Sequence, residues 1–253
     1  MLTAVVITLN EEKMIGDCLK SLQFADEIII VDTGNTDKTN DIAKKYKSKI
    51  IKYSGPGDYS AYRNCATKEA QGDWLLYVDS DERVTPELES EIKKTISGTD
   101  PYTAFAIPRR NIYLGKELKH GGWGGDYVTR LIKKTALIKW VNPLHEQPEF
   151  KGQLSKLNSK LIHISHRDLT SMLQKTLVFT KHEARLRFES GHPEMTWWRF
   201  FRVMATEFWF RFIKLSAWKD GTVGVIDGIF QVFNTFIIYA RLWEMQHAKS
   251  SDS

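Results

Sequence analysis

Short β-branched apolar runs alternate with stretches of helical spacing over the first hundred residues. The runs predict four buried strands, at Leu2–Leu9, Glu27–Val31, Lys49–Tyr53 and Trp74–Val78. Helices are predicted between and after these strands, following a cap at Asn10, over Thr39–Tyr46, over Ser60–Gln71 and following Thr85. Because strands that alternate with helices pair in parallel through crossover connections, this order predicts an α/β fold with a mostly parallel sheet flanked by helices.

The pattern changes after about residue 101. Short apolar runs at 104–107, 127–133, 137–140 and 161–165 predict further strands, and the chain reads as helical from Asp168 to about residue 247. Residues 197–219 contain nine aromatic side chains, five Lys or Arg and one acid. A helix of this composition suits a membrane interface, and it also suits packing on the preceding domain or on a second subunit.

Charge is distributed unevenly along the chain. Residues 1–100 hold 13 Lys or Arg and 18 Asp or Glu, a net charge of −5, whereas residues 101–253 have a net charge of +10. The first part therefore suits a metal cation and the second an anionic surface. No uncharged apolar stretch of about 18 residues occurs, so no membrane-spanning helix is predicted. The two cysteines form no CxxC pair, which suits a cytoplasmic protein.

Two carboxylates follow the fourth predicted strand, in Asp79-Ser80-Asp81. Ligands of open α/β sheets bind at the carboxyl ends of strands. Paired hard oxygen ligands suit Mg²⁺ or Mn²⁺, and such an ion also binds phosphates and stabilises a departing diphosphate. The sequence thus predicts a metal site at Asp79 and Asp81. A polar turn that ends the strand would have the same sequence pattern without binding a metal.

Further polar side chains are predicted to share this sheet edge. Thr8 lies at the end of the first strand, Asn10 and Glu11 follow it, and Asp32 follows the second. Arg63 precedes the fourth strand and supplies a guanidinium, a natural partner for a diphosphate. Each loop alone is explained equally well by turn chemistry, but their convergence beside a carboxylate pair indicates a binding site for a phosphorylated ligand.

The second half supplies candidates for acid–base and metal chemistry. Glu146 is the first candidate for a general base and Asp126 is the rival. His145 and His163 are further candidate metal ligands, since imidazole binds Mn²⁺. Each histidine could equally be structural.

Four segments together resemble a known family. T-L-N-E-E, V-D-T-G-N-T-D-K-T, A-Y-R-N and V-D-S-D-E, in this order and spacing, are similar to the motifs of family 2 inverting glycosyltransferases of the GT-A nucleotide-diphospho-sugar transferase fold. The loop D-T-G-N-T-D departs mildly from the usual D-S-G-S-T-D. The Q-x-x-R-W motif of processive members is missing from the sequence, which favours transfer of a single sugar.

The resemblance implies roles for these residues. It implies that Thr8 and Asp32 contact the nucleotide base, with Asn10, Glu11 and Ser80 in the same nucleotide-sugar site. It implies that Arg63 binds the diphosphate, that Asp81 binds the metal, and that Asp79 faces the ribose or the metal. It also implies that Glu146 is the base, with His145 near the metal or the diphosphate.

L-H-E, H-I-S-H and K-D-G-T-V-G-V add a looser similarity to lipopolysaccharide-core β-glucosyltransferases. This implies transfer of glucose from UDP-glucose to a lipid-linked saccharide, the lipopolysaccharide inner core, at the cytoplasmic face of a bacterial inner membrane. Two alternatives stay open: another lipid-linked or protein acceptor in envelope polysaccharide synthesis, and a non-catalytic membrane-surface binding protein. Nucleic acid is not an expected partner, because it would explain only the basic half.

The implied organisation has two parts. Residues 1–166 are expected to form the GT-A catalytic domain, with a nucleotide-sugar half over 1–100 and an acceptor half over 101–166. Residues 167–253 are expected to form a helical C-terminal extension associated with the membrane interface.

Overall fold

The computed structural model describes residues 1–55, 57–99, 101–142 and 146–248. The strands are β1 Leu2–Thr8, β2 Glu27–Asp32, β3 Lys49–Lys52, β4 Trp74–Tyr77, β5 Glu82–Val84, β6 Tyr102–Tyr113, β7 Lys116–Glu117, β8 Tyr127–Lys133, β9 Leu137–Val141, β10 Gln147–Phe150, β11 Gln153–Lys156 and β12 Leu161–His166. The α-helices are α1 Ile15–Ser21, α2 Thr39–Lys45, α3 Tyr59–Glu69, α4 Pro86–Ser97, α5 Leu169–Glu189, α6 Trp197–Trp209 and α7 Gly221–His247.

The chain divides into two compact units. Unit 1 comprises residues 1–110 and 125–163, and unit 2 comprises residues 111–124 and 164–253. Unit 2 thus contains an excursion from the first half of the chain in addition to the C-terminal helices. The functional division expected at residues 166 and 167 stays a prediction.

The sheet is parallel in its first half and mixed beyond it. Its strand order is β3-β2-β1-β4-β8-β6-β12-β5. β1 pairs in parallel with β2 and β4, whereas β8 pairs antiparallel with β4 and β6. The expected parallel pairing therefore holds for β1 to β4, whereas β5 pairs antiparallel with β12 and, beyond residue 100, β11 pairs in parallel with β6. Parallel pairing needs a crossover element, and the described residues 114–126 between β6 and β8 contain no helix.

Alternate residues of β1 enter two separate apolar cores. Ala4 and Val6 pack in a core that includes Leu19 of α1, while Val5 and Ile7 pack in another that includes Ala66 of α3. A strand buried on both faces reads as a continuous apolar run, which explains why β1 was readable from sequence. Because β1 pairs in parallel with β2 and β4, the carboxyl ends of the three strands lie at one edge of the sheet.

The first helix begins later than its predicted cap. α1 begins at Ile15, with Met14 as its N-cap residue. Asn10 instead has a positive φ of 56°, and its side chain accepts a hydrogen bond from the backbone N–H of Thr36 at 2.7 Å. Asparagine tolerates this left-handed conformation better than most residues. The expected cap therefore links two loops.

Unit 2 is a helical unit with a short excursion held at one end. α5 and α6 both pack on α7. The backbone N–H groups of Lys119 and His120 donate to Asp220 at 2.8 and 2.7 Å. The indole N–H of Trp123 donates to Asp227 at 2.7 Å. Both acids are buried, so their hydrogen bonds fix residues 119–123 against the start of α7.

One continuous helical stretch passes a simple test for membrane spans. Residues 217–247 include an 18-residue window of mean hydropathy 1.5, of which 17% is buried. By length and composition this stretch could cross a bilayer, contrary to the expectation from uninterrupted apolar runs. The stretch contains the polar residues Asp227, Asn234 and Arg241, which interrupt its apolar run. Core helices of soluble proteins pass the same test.

Candidate active site

Asp32, the last residue of β2, is an ionised hydrogen-bond acceptor. Its Oδ1 accepts from the backbone N–H groups of Gly34 at 2.9 Å and Asn35 at 2.7 Å, and its Oδ2 accepts from the Asn40 amide at 2.7 Å. Burial alone would raise the pKa of this carboxyl, but these hydrogen bonds outweigh it and lower the pKa. At neutral pH, Asp32 therefore only accepts hydrogen bonds.

Asn35 joins this loop to the loop after β1. Its amide nitrogen donates to the Thr8 hydroxyl at 2.8 Å, and its amide oxygen accepts from the backbone N–H of Asn10 at 2.7 Å. The backbone N–H of Glu11 donates to the Thr39 hydroxyl at 2.8 Å. The structure thus brings Thr8, Asn10 and Glu11 beside the loop of Asp32, as the strand order predicts.

Arg63 is the centre of an ion-pair cluster at the same edge. Its guanidinium is 1% exposed and lies over the ring of Trp140 at 4.8 Å. Nη2 donates to Asp79 at 2.8 Å, and both Nη2 and Nε donate to Oε1 of Glu146, at 2.7 and 3.0 Å. Arg63, the predicted diphosphate ligand, therefore contacts both Asp79, the predicted metal or ribose ligand, and Glu146, the predicted base.

Asp79 is held by a second guanidinium that sequence reasoning missed. Arg130 of β8 donates to Oδ2 of Asp79, while Arg63 occupies Oδ1. Burial would raise the pKa of Asp79, but Arg130 and Arg63 hold that pKa well below its usual range. The sequence does carry a signal for Arg130, since this charged residue lies in the middle of the apolar strand β8. An unpaired charge buried there would be unfavourable, so an acidic partner was to be expected.

Glu82 is a second missed member of the cluster. It is fully buried, and its Oε2 accepts from the backbone N–H of Asp79 at 2.9 Å. Its Oε1 lies 3.6 Å from Nη1 of Arg109 and 3.9 Å from Nη2 of Arg130. Burial and the neighbouring Asp79 raise its pKa. Glu82 followed the acidic pair in the sequence, and its place after the pair was the only signal of its role.

Of the candidate metal ligands, Asp81 and His163 face each other, whereas Asp79 binds two arginines. Oδ2 of Asp81 lies 3.7 Å from Nε2 of His163. Ser80 is nearly buried, and its carbonyl accepts from Arg83 at 2.8 Å. Within the described part of the chain, no group of three or more His, Cys, Asp or Glu side chains is placed to hold a metal ion. His145 lies outside the described residues.

The two candidate bases both pair with arginine. Asp126 accepts from Arg109 through Nε at 2.7 Å and Nη2 at 2.6 Å. Glu146 pairs with Arg63 and lines a cavity of about 600 Å³ in unit 1. The cavity is also lined by charged and aromatic residues that include Asp79, Arg109, Arg130, Tyr127, Trp140 and Phe150. Asp126 is not among the residues that line this cavity, but its partner Arg109 is.

Comparisons with known proteins all identify glycosyltransferases as similar to this chain. A model of glycosyl transferase family 2 matches residues 3–136. A Rickettsia typhi protein described as an uncharacterized glycosyltransferase is 26% identical over 264 residues, covering 96% of this chain and 87% of that protein. The lipopolysaccharide core biosynthesis glycosyltransferase LpsC of Rhizobium meliloti is 22% identical over 258 residues, covering 98% and 94%.

Two solved structures are also similar to this chain. Staphylococcus aureus TarS 1–349 matches with a TM-score of 0.48 at 16% identity, covering 99% of this chain and 92% of that chain. Its complex with UDP-GlcNAc matches with a TM-score of 0.39 at 28% identity, covering 44% of this chain and 35% of that one.

Proposed function

This chain belongs to glycosyl transferase family 2, and we propose that it transfers one glucosyl residue from UDP-glucose to a lipid-linked saccharide acceptor, the lipopolysaccharide inner core. Membership makes the chain a glycosyltransferase with the GT-A fold, as the sequence motifs indicated. The alternative of a non-catalytic membrane-surface protein is thereby set aside.

The convergence on Arg63 carries this proposal. One buried guanidinium contacts both Asp79 and Glu146 at the carboxyl edge of the sheet. Arginine binds diphosphate oxygens in the same forked geometry in which it binds carboxylates. A nucleotide diphosphate at this edge would therefore meet Arg63 and the carboxylates that it positions.

The base of the donor is assigned to the loops after β1 and β2. Asp32 is held as an ionised acceptor, which suits a base with a ring N–H, such as uracil. Adenine and cytosine, which carry an acceptor at the corresponding ring nitrogen, would leave two acceptors opposed. Uracil, thymine and guanine all carry such a ring N–H, so this chemistry favours them over adenine and cytosine, and among them uridine is the nucleotide we propose.

Asp81 and His163 fit a divalent cation, Mg²⁺ or Mn²⁺. Their facing oxygen and nitrogen atoms are 3.7 Å apart, and both types of atom are ligands that Mn²⁺ accepts. Ions of this class commonly use one or two protein ligands together with substrate phosphates, so a cluster of three protein ligands is not required. When bound, the ion would supply charge to stabilise the departing diphosphate. Asp79 suits the ion less, because both of its oxygens bind arginine.

Glu146 is the proposed general base. An inverting transfer needs a carboxylate beside the acceptor hydroxyl, and Glu146 lines the cavity together with Asp79. The aromatic residues Tyr127, Trp140 and Phe150 line the same cavity. Apolar ring faces of this kind pack against the C–H faces of sugars, which supports a saccharide acceptor there. Asp126 stays the rival base.

Sequence similarity over nearly the full chain supports the envelope saccharide. LpsC is described as a lipopolysaccharide core enzyme, and its alignment includes both units of this chain. A different lipid-linked or protein acceptor in envelope polysaccharide synthesis is the second candidate.

A donor and acceptor screen tests the proposal. The full chain is incubated with Mn²⁺, one nucleotide sugar at a time, and deacylated inner-core saccharide, and the released nucleoside diphosphate is measured. We expect release from UDP-glucose that requires the saccharide, and no stimulation in an Asp81→Asn variant. Release from another nucleotide sugar, or release that no saccharide stimulates, would contradict the proposed substrates.

A further inference from the structure

The helix α6 has an unusual surface for part of a folded unit. None of its thirteen residues, all of them described, is buried. Trp197 is 75% exposed and Phe201 is 69% exposed, and their rings contact each other edge to face at 6.3 Å. Soluble monomers seldom expose contiguous apolar surface of this kind, so such a patch marks an interaction site.

Cations surround the exposed rings. The guanidinium groups of Arg199 and Arg202 lie 5.4 and 5.7 Å from the ring centre of Trp198. The ammonium groups of Lys214 and Lys219 lie over the rings of neighbouring aromatic residues at 5.3 and 5.6 Å. These contacts hold positive charge beside the apolar surface.

The one acid and the one remaining cation of this segment neutralise each other. Glu207 accepts from Nε of Arg211 at 2.6 Å. Nη1 of Arg211 donates to the carbonyl of Gly121 at 2.6 Å, so this arginine is part of the internal structure of unit 2. The outward charge of residues 197–219 is therefore carried by Arg199, Arg202, Lys214 and Lys219, and it is wholly positive.

We propose that this aromatic–basic surface, formed by Trp197, Trp198, Arg199, Phe201, Arg202 and Lys214, docks on a bilayer containing anionic phospholipid. Aromatic rings suit the headgroup level of a membrane, and cations beside them meet the lipid phosphates. A membrane surface can therefore bind the aromatic rings and the cations of this surface at the same time.

Charge complementarity distinguishes this occupant from a second copy of the chain. A twofold interface places the same patch on both subunits, so the outward cations would face one another across it. Like charges opposed at an interface are unfavourable. An anionic lipid surface has the opposite charge, and the α7 face adds exposed apolar side chains such as Ile229 and Phe233 in the same unit.

Vesicle sedimentation of the full chain tests the proposal without donor or acceptor, so its outcome is independent of the proposed reaction. We expect binding to vesicles of phosphatidylcholine mixed with phosphatidylglycerol, little binding to phosphatidylcholine alone, and release at high salt. The variant with Arg199, Arg202 and Lys214 all changed to Glu should bind the anionic vesicles at least about 100-fold more weakly, since each cation contributes roughly a fivefold factor and each introduced Glu is repelled. Arg211 is left intact because its change would disturb the fold.

A matched control reverses Lys68, Lys94 and Lys133 to Glu, which changes the net charge equally at exposed positions of unit 1. This control should bind as wild type does. A wild-type chain that ignores anionic vesicles, or a triple variant that still binds them, overturns the proposal. Retention of wild type at high salt would also overturn it, in favour of insertion of α7. A mass above one chain that falls in the Trp197→Ala, Phe201→Ala variant would instead assign the surface to a second copy.

Discussion

Replacing Glu146 with glutamine separates its chemistry from its structural contacts. Glutamine keeps the size and a carbonyl oxygen that accepts from Arg63, but it cannot take up a proton at neutral pH. We expect turnover to fall by about 10²–10⁴, the usual cost of losing a general base. Affinity for UDP should be unchanged or higher, because Arg63 would have one fewer anion competing with the diphosphate.

The contacts of Glu146 set the expected change in stability. Arg63 donates to its Oε1 through Nε at 3.0 Å and Nη2 at 2.7 Å. A hydrogen bond to a charged group contributes roughly 1 kcal/mol more than a neutral one. Two such bonds predict a loss of about 2 kcal/mol, moderated because Asp79 keeps its own bond with Arg63. For a chain of this size, that loss lowers Tm by about 4–8 °C.

The assay combines UDP release under saturating substrate, UDP binding by calorimetry and thermal unfolding by circular dichroism. Asp126→Asn is the matched control, since Asp126 also accepts two bonds from one arginine, Arg109. It should lose similar stability and keep most of its turnover. Near wild-type turnover in Glu146→Gln, with a large loss in Asp126→Asn, would refute the assignment and exchange the two roles. A collapse of UDP binding in Glu146→Gln would show that the residue acts through the structure of the donor site.

Three further changes test other parts of the site. Asp81→Asn should abolish the tightening of UDP binding by Mn²⁺ in calorimetry while leaving Tm unaltered, and a metal response like that of wild type would exclude this ligand. The pKa of Asp79 is lower in the folded chain than in the unfolded chain, where it is about 4. The ion pairs of Asp79 therefore stabilise the fold fully above that unfolded pKa, and this stabilisation is lost as the pH falls through the folded pKa. Urea unfolding should therefore show Asp79→Asn destabilised most at neutral pH, with the difference from wild type shrinking below about pH 4; a difference independent of pH would contradict this. Asn35→Ser loses bonds to Thr8 and Asn10 and should lower Tm by several degrees in circular dichroism, whereas an unchanged Tm would mean that the two loops hold without it.

The parallel half of the fold was predictable because its signals are local. β1 is buried on both faces, so it reads as an unbroken apolar run, and the loops after β1, β2 and β4 must then meet at one edge. This reasoning predicts from the sequence alone that Asp32, Arg63 and Asp79 lie in one region. The glycosyltransferase family followed from the same loops.

The remaining parts depend on contacts between distant segments. Arg130 and Glu82 are both buried; Arg130 donates to Asp79, 51 residues away in the chain, and Glu82 accepts from the backbone N–H of Asp79. The antiparallel pairing of β6 and β8 depends on how residues 114–126 return, which apolar periodicity does not encode. Asn10, the expected cap of α1, instead contacts Thr36, 26 residues away in the chain, and α1 begins at Ile15.

The dependence of residues 111–124 on the C-terminal helices limits what truncation can reveal. A fragment ending at residue 166 would leave the backbone N–H groups of Lys119 and His120 without Asp220, and the indole of Trp123 without Asp227. It would also strip Tyr113 and Leu118 of apolar partners in α5 and α7. Loss of activity in such a fragment would follow from misfolding of its own sequence, whether or not the deleted helices contribute to catalysis. Genetic dissection of this enzyme therefore requires surface substitutions that keep Asp220 and Asp227 in place.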